Sequence, residues 1–213
     1  MERERTRIAR DIHDDLGARL TMIAMLTDEA EREAHQGKTI SEYVHNIRGA
    51  AREMFAQLDE TVWAVNPHND RMDRLAEYII QYTERFFRPT PMRCRIKVSG
   101  DVPATAIAAE QRHNLFLAIK EALTNVARRS GAKEIQVELS FANALFAVSV
   151  RDDGAGFTAG ETEAPGPGLK NMRSRMENLG GRFELQTQSG QGTTIRLEFD
   201  TRSAAHPRLS DTP

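Results

Sequence analysis

RIARDIHDDLGARL, residues 7–20, sets His13 among three acids on a stretch that otherwise reads as an amphipathic helix. At about 100° per residue, the apolar stripe of Ile8, Ile12, Leu16, Leu20 and Ile23 leaves His13 some ~80° from its centre, at the polar edge. Its axial neighbours four residues away are Ala9 and Gly17, so little covers the ring from above or below. A mid-helix glycine costs about 1 kcal/mol relative to alanine, and clearing space for a large visitor explains that cost. Neutral imidazole is a nucleophile, and an ordinary pKa of about 6.5 keeps much of it neutral near pH 7.

Three further stretches carry chemistry. KEALTN, residues 120–125, puts Glu121 and Asn125 four apart on one helix face, where an amide oxygen suits Mg²⁺. Ala122, Leu123 and Val126 form the buried side of that helix, so the polar pair can line a cleft. DDGAGF, residues 152–157, follows an apolar strand, placing Asp152 at a strand end with Gly154 and Gly156 allowing close approach of a ligand. A carboxylate there accepts a hydrogen bond from an exocyclic amine such as that of adenine. The run from Gly154 to Gly168 has too few large apolar residues to pack a core and reads as a loop, and GPGLKNM then opens a helix whose first amides favour phosphate. A glycine-hinged loop before a helix start is what a nucleotide lid requires. Each motif alone has a bland reading as an acidic turn or a solvated helix face; the combination is what carries weight.

The elements that must position these residues fall into two halves with different periods. Residues 1–66 contain no proline, and a second stripe of Val44, Ile47, Ala51, Met54, Leu58 and Val65 follows the turn HQGKTIS. Two such helices form a hairpin that leaves apolar surface wet, so pairing with a second copy into a dimeric four-helix bundle is expected. Asn66-Pro67 breaks the second helix. Over residues 67–200, helical patterns near 70–88, 106–129 and 168–179 alternate with the period-2 runs CRIKV, IQVEL, LFAVSV, FELQT and TIRLEF. The fold expected is therefore α+β: a helical hairpin followed by an α/β sandwich, a mixed sheet covered by helices on one face. Residues 201–213 lack apolar periodicity and read as a disordered tail.

Composition narrows the partners. A net charge of −2 makes no electrostatic case for nucleic acid, and no apolar run approaches the ~20 residues of a membrane span. The single cysteine, Cys94, sits in an alternating strand pattern and reads as a small packed residue, which fits a reducing cytoplasm.

Taken in order, the motifs of residues 70–200 resemble the ATP-binding domain shared by histidine kinases, gyrase-type ATPases and related chaperones. The matching boxes are Glu121 and Asn125; Asp152, Gly154 and Gly156; Gly166, Gly168 and Leu169; and GQGTT at 190–194. ERTRIARDIHDDLGARL resembles the phosphoacceptor box of histidine kinases in the nitrate-sensor subgroup, and WAVNPHND is similar to the junction in cores attached to propeller-type sensors. The resemblance implies catalytic roles for His13 as phosphoacceptor, Asp14 as the acid that orients or deprotonates it, and Glu121. It further implies ATP and Mg²⁺ as cofactors, Asn125 as the metal ligand, and Asp152 on the adenine amine. Arg128 and Arg129 would lie near the phosphates, the glycine boxes would bracket the lid, and Thr193 would back the adenine pocket. A homodimer through the hairpin and a response-regulator receiver domain are the implied partners, with a transcriptional output by analogy. Location is then cytoplasmic, either as the core of a longer, membrane-anchored sensor or as a chain answering to a separate partner.

Two departures stand out. Many members of the subgroup carry glutamine five residues after the histidine, where it positions water for dephosphorylation; here Ala18 stands there. Arg129 replaces a histidine that often ends the Asn box, keeping positive charge without a protonation switch. Two competing readings share the ATP domain: a catalytically silent nucleotide-binding scaffold, which Ala18 and Arg129 keep open but intact Asn125 and Asp152 argue against, and an anti-sigma-type serine kinase, which the histidine-bearing hairpin disfavours.

Overall fold

Apolar stripes at helical spacing give the first compact unit, Met1–Pro67, two long helices: α1 (Glu2–His35) and α2 (Ser41–Val65). The computed structural model describes residues 2–35, 40–157 and 167–202, without the side chains of 2–16, 19, 35, 53, 56 and 57. Most of the expected turn, Gly166 and residues 203–213 of the expected tail lie outside the described residues, whereas Thr201, counted with that tail, is buried, its N–H and hydroxyl both donating to Ala144 O at 2.8 and 2.9 Å. Within the hairpin the small residues Ala30 and Ala50 are buried, letting the two backbones approach, while Ile23, Leu26, Ile47, Met54 and Leu58 are half-buried around them. Val44 and Leu20, members of the apolar stripes read from sequence, are exposed, part of the apolar surface that a lone hairpin leaves wet. A pair of helices covers only the residues along their line of contact, so the flanks of a wide stripe stay wet. Val44, Phe55 and Val62 fall within about 20° of one another on α2, about 80° round from the packed face, and are 53%, 65% and 64% exposed.

Asn66 takes up the extended conformation that a following proline enforces, and α2 stops there. A 3-10 turn at Pro67–Asn69 spans the boundary, and the second unit, His68–Pro213, continues with α3 (Met72–Phe87). It continues with β1 (Arg93–Ser99), α4 (Ala109–Asn125), a π-helical turn (Val126–Ser130), β2 (Glu134–Ala142) and β3 (Leu145–Asp152). Helix α5 (Pro167–Asn178), β4 (Arg182–Thr187) and β5 (Thr193–Asp200) complete it. The five strands lie in the order β1-β2-β3-β5-β4, with β1 parallel to β2 and the other pairs antiparallel.

Alternation decides the faces. Ile135, Val137 and Leu139 of β2, Phe146, Val148 and Val150 of β3, and Ile195, Leu197 and Phe199 of β5 are all buried and all in register. Leu75 and Ile79 of α3, Phe116, Ile119 and Leu123 of α4, and Met172 and Met176 of α5 close over them. The opposite face is charged and wet, laced by Arg95 to Glu134 at 2.9 Å and Lys97 to Glu138 at 3.1 Å.

Helix α4 starts at Ala109, later than its pattern suggests, because the preceding segment is held extended. Ile107 N–H donates to Asp70 O, Met72 N–H donates to Thr105 O, and Ala106 bridges Arg71. Beneath that clasp Arg112, fully buried on α4, pairs with Asp70 at 3.1 Å. A charge taken out of water needs such a partner, so this pair ties the first residues of the second unit to α4.

Candidate functional site

One row of side chains crosses the sheet at its end: Cys94, Ile135, Asp152, Thr193 and Thr187 are successive register partners. Asp152 continues the inward set of Phe146, Val148 and Val150, so its carboxylate stands where the apolar face runs out, only 4% exposed. Burial pushes this carboxyl above its ordinary range; the amides of Gly154 and Thr193 pull it back, and the neighbouring charge of Asp153 adds to the rise. Gly154 N–H donates to Asp152 Oδ1 at 2.9 Å, fixing the side chain by an Asx-type turn.

The loop after Asp152 is held from several sides. Asp153 turns the other way and accepts from the amides of Lys133 and Glu134, at 2.8 and 2.9 Å. Ala155 N–H donates to Ser130 O at 2.8 Å, and Gly190 N–H donates to Ala155 O. Gly156 has φ +57° and lies against the carbonyls of Gln188 and Gly192, so both conformation and space demand glycine. Phe157 N–H donates to Thr187 Oγ1 at 3.0 Å, and Thr187 Oγ1 lies 3.2 Å from Thr193 Oγ1.

Helix α4 supplies the second wall. Ala122, Leu123 and Val126 are buried, which leaves Glu121 and Asn125 half-buried on the facing side. Asn125 sits where the helix widens into the π-helical turn, a distortion often found at functional positions. That turn ends in Ser130, whose hydroxyl donates to Val126 O at 2.7 Å and accepts from Ala132 N–H. Arg128 and Arg129 lie exposed on the same turn. Gly168, in the first turn of α5, packs directly on Glu121: a Cβ there would collide with the Glu121 carboxylate and sit 3.5 Å from Asn125 Nδ2. Leu169 follows, half-buried.

The structure therefore brings Glu121, Asn125 and Gly168 together on one side, and Asp152, Gly154, Gly156 and Thr193 together on another. His13 and Asp14 lie on α1, but their side chains, like Gly166, are outside the described part. Among the described residues no group of three or more His, Cys, Asp or Glu could cage a metal. A single amide oxygen beside a carboxylate suits Mg²⁺, which keeps most of its waters and takes further ligands from phosphate. Cys94 is half-buried, and burial raises its thiol above the usual value.

Three residues with evident roles were not singled out from sequence. Thr187 is legible only once β4 and β5 are paired across the GQG turn. Ser130 carries a signal in hindsight, since a hydroxyl before Gly131 suits a helix end. Arg175 of α5, half-buried with Nη1 donating to Asn114 Oδ1 at 2.7 Å, needs the contact between α4 and α5.

Comparison with known proteins fits this layout. Residues 4–70 match the family model described as histidine kinase, and residues 110–203 match that of the histidine kinase-, DNA gyrase B-, and HSP90-like ATPase. Sensor histidine kinase LiaS of Bacillus subtilis (strain 168) is 29% identical over 198 residues, covering 92% of this chain and 53% of LiaS. Sensor histidine kinase LnrJ of the same strain is 31% identical over 197 residues, covering 92% and 48%. Sensor protein VraS of Staphylococcus haemolyticus is 25% identical, covering 93% and 56%. The chain thus spans about half the length of these curated relatives. Among solved structures, the histidine kinase domain of a blue-light activated histidine kinase from Erythrobacter litoralis EL346 has a TM-score of 0.53 at 15% identity, over 96% of this chain and 99% of that one. Histidine kinase AdeS of Acinetobacter baumannii has 0.51 at 11%, over 87% and 96%. At those identities the likeness is one of fold. With both family models matched in order along one chain, and with relatives that are sensor kinases throughout nine-tenths of its length, the chain belongs to the histidine kinases.

Proposed function

We propose that this chain is the catalytic core of a two-component sensor histidine kinase, which phosphorylates His13 from ATP and passes the phosphoryl group to an aspartate on a response-regulator receiver domain. The observation that carries the reading is the meeting of Gly168 with Glu121 and Asn125, which seats the helix following the glycine-rich loop on the polar face of α4. In this reading the hairpin of residues 1–66 presents the acceptor and residues 67–200 bind the nucleotide.

Asp152 accepts the exocyclic amine of adenine, with Thr193 beside it. Its burial strengthens that hydrogen bond, because the carboxylate has few waters competing for it. Asn125 would hold Mg²⁺, which supplies neutralisation of phosphate charge. Arg128 and Arg129 face solvent beside Asn125 and add positive charge where phosphates would lie. Gly166, Gly168 and Leu169 frame the far end of the lid, which excludes water from the transfer. A nitrogen lone pair of the His13 imidazole attacks the γ-phosphorus; the N–P bond forms as the bond to the ADP oxygen breaks, and Asp14 orients the ring or takes its proton. Positioning and charge neutralisation account for most of the rate in such a step.

The exposed row of Val44, Phe55 and Val62 supports a homodimer through the hairpin, since a second copy laid against it would complete a four-helix bundle. No described helix is long and apolar enough to cross a membrane, and the cytoplasm, where ATP and receiver domains meet, is the proposed location.

The reading is tested by incubating the protein with γ-labelled ATP and Mg²⁺. Label that survives base, is lost in mild acid and disappears in His13→Gln is the expected result; label that persists in that variant overturns it.

A further inference from the structure

The Thr187 hydroxyl is a junction of three contacts. Phe157 N–H donates to it at 3.0 Å, Thr193 Oγ1 lies at 3.2 Å, and Gly192 O lies at 3.4 Å. A hydroxyl has one proton, so Thr187 can donate to Thr193 or to Gly192, not to both. Donation to Thr193 uses the shorter contact and produces a directed chain: the Phe157 amide to Thr187, Thr187 to Thr193, and the Thr193 proton left pointing outward. Donation to Gly192 requires the longer contact and turns the Thr193 proton back toward Thr187, leaving only lone pairs for a ligand.

The direction matters because of what stands beside it. Asp152 is the register partner of Thr193 on the same sheet face, and its carboxylate accepts only. With Thr193 donating, the pair offers one acceptor next to one donor. The adenine edge presents the complement, an amine hydrogen beside a ring-nitrogen acceptor, whereas a 6-oxopurine presents an oxygen beside a ring N–H. We infer that Thr187 is a positioning residue for nucleotide choice: by relaying the hydrogen bond of the Phe157 amide to Thr193, it makes Thr193 a donor and biases the site toward adenine over 6-oxopurines. The inference rests on the adenine-nucleotide reading above. Phe157 closes the D-x-G-x-G loop, so the same hydroxyl also ties the end of that loop to the base pocket.

The experiment measures the affinities of the whole chain for Mg-ATP and Mg-ITP by calorimetry, well below the unfolding temperature, for the wild type, Thr187→Val and Thr187→Ser. Valine keeps the shape and removes the relay; serine keeps the hydroxyl. The ratio of ATP to ITP affinity is expected to fall about fivefold in Thr187→Val, the scale of one hydrogen bond, through weaker ATP binding and relieved ITP binding. Thr187→Ser is expected to keep the wild-type ratio. An unchanged ratio in Thr187→Val, or the same loss in Thr187→Ser, overturns the relay while leaving the kinase reading intact. A wild type that binds neither nucleotide overturns that reading and the relay with it. Thr187→Ala, expected to match valine, serves if valine prevents folding. A purely structural role would lower thermal stability and leave the ratio alone.

Discussion

Arg175 Nη1 donates to Asn114 Oδ1 at 2.7 Å, seven residues along α5 from Gly168, while Asn114 is seven residues back along α4 from Glu121, against which Gly168 packs. The helices therefore run antiparallel with matched steps of about 10 Å, and two contacts fix their register. Asn114, Glu121 and Asn125 lie within about 40° on one face of α4, so the hydrogen bond at one end holds the glycine seat at the other. Burial lowers the Arg175 pKa from its ordinary value, and the Glu121 charge opposes that shift.

Removing the anchor is expected to loosen the seat. Arg175→Met should cost about 1–3 kcal/mol of stability, as for a partly buried hydrogen bond to a charged group, and slow labelling of His13 about tenfold. Chemical denaturation and single-turnover labelling check the two parts. Unchanged values for both would mean that the contact holds nothing.

Alanine should act differently at Gly17 and Gly168. At Gly168 a Cβ would displace the Glu121 carboxylate, the free end of a flexible side chain that can swing aside, so Gly168→Ala is expected to leave folding intact and to weaken nucleotide binding by moving Glu121 from its place beside Asn125. At Gly17 nothing lies within 4 Å, so Gly17→Ala should stabilise the hairpin by about 1 kcal/mol. If Gly17 clears space beside His13, the same change slows phosphorylation; full activity with added stability would remove that explanation for the glycine.

Asp152 gives a pH dependence with a definite sign. Its folded pKa is raised, so the folded state holds this proton more tightly than the unfolded chain, where the value is about 3.9. The stability it contributes is fully present below that unfolded value and is lost as pH rises through the folded one. Asp152→Asn should remove this loss, making the nucleotide-free protein more stable at pH 7, and weaken ATP binding about a hundredfold. Thermal unfolding across pH with and without ATP reads both; a variant that is less stable at pH 7 without nucleotide would contradict the sign.

Phe55→Lys places a charge on the exposed row of α2, where Phe55 is 65% exposed and makes little contact within its own hairpin. Sedimentation is expected to show monomers in place of dimers, with helical content retained. A dimer that survives would move the interface elsewhere.

Much of the architecture was legible in the residues. Period-2 runs marked all five strands to within three residues, because each has one face on the core and one in water, and burial writes that alternation directly into side-chain type. Asp152 was recognisable because an acid at the end of such a run interrupts a pattern that packing alone would continue. The stripe that holds Val44 was legible, but not which of its edges the partner helix covers, because periodicity alone does not say where a single neighbour lies. The start of α4 was misread because the backbone groups of Ala106 and Ile107 pair with residues far earlier in the chain, a competition that no local propensity records.

What the sequence by itself determined is the inventory: the period of each element, the motifs in order along the chain, and the chemistry each side chain can perform. Only the tertiary structure decided the pairings that make a site of them: Asp70 on Arg112, Asn114 on Arg175, Glu121 under Gly168, Thr187 between Phe157 and Thr193. The physical reason is range. Periodicity and turn chemistry come from interactions within a few residues and leave a local mark, whereas a hydrogen bond between residues brought together by strand register or helix crossing depends on the whole packed core.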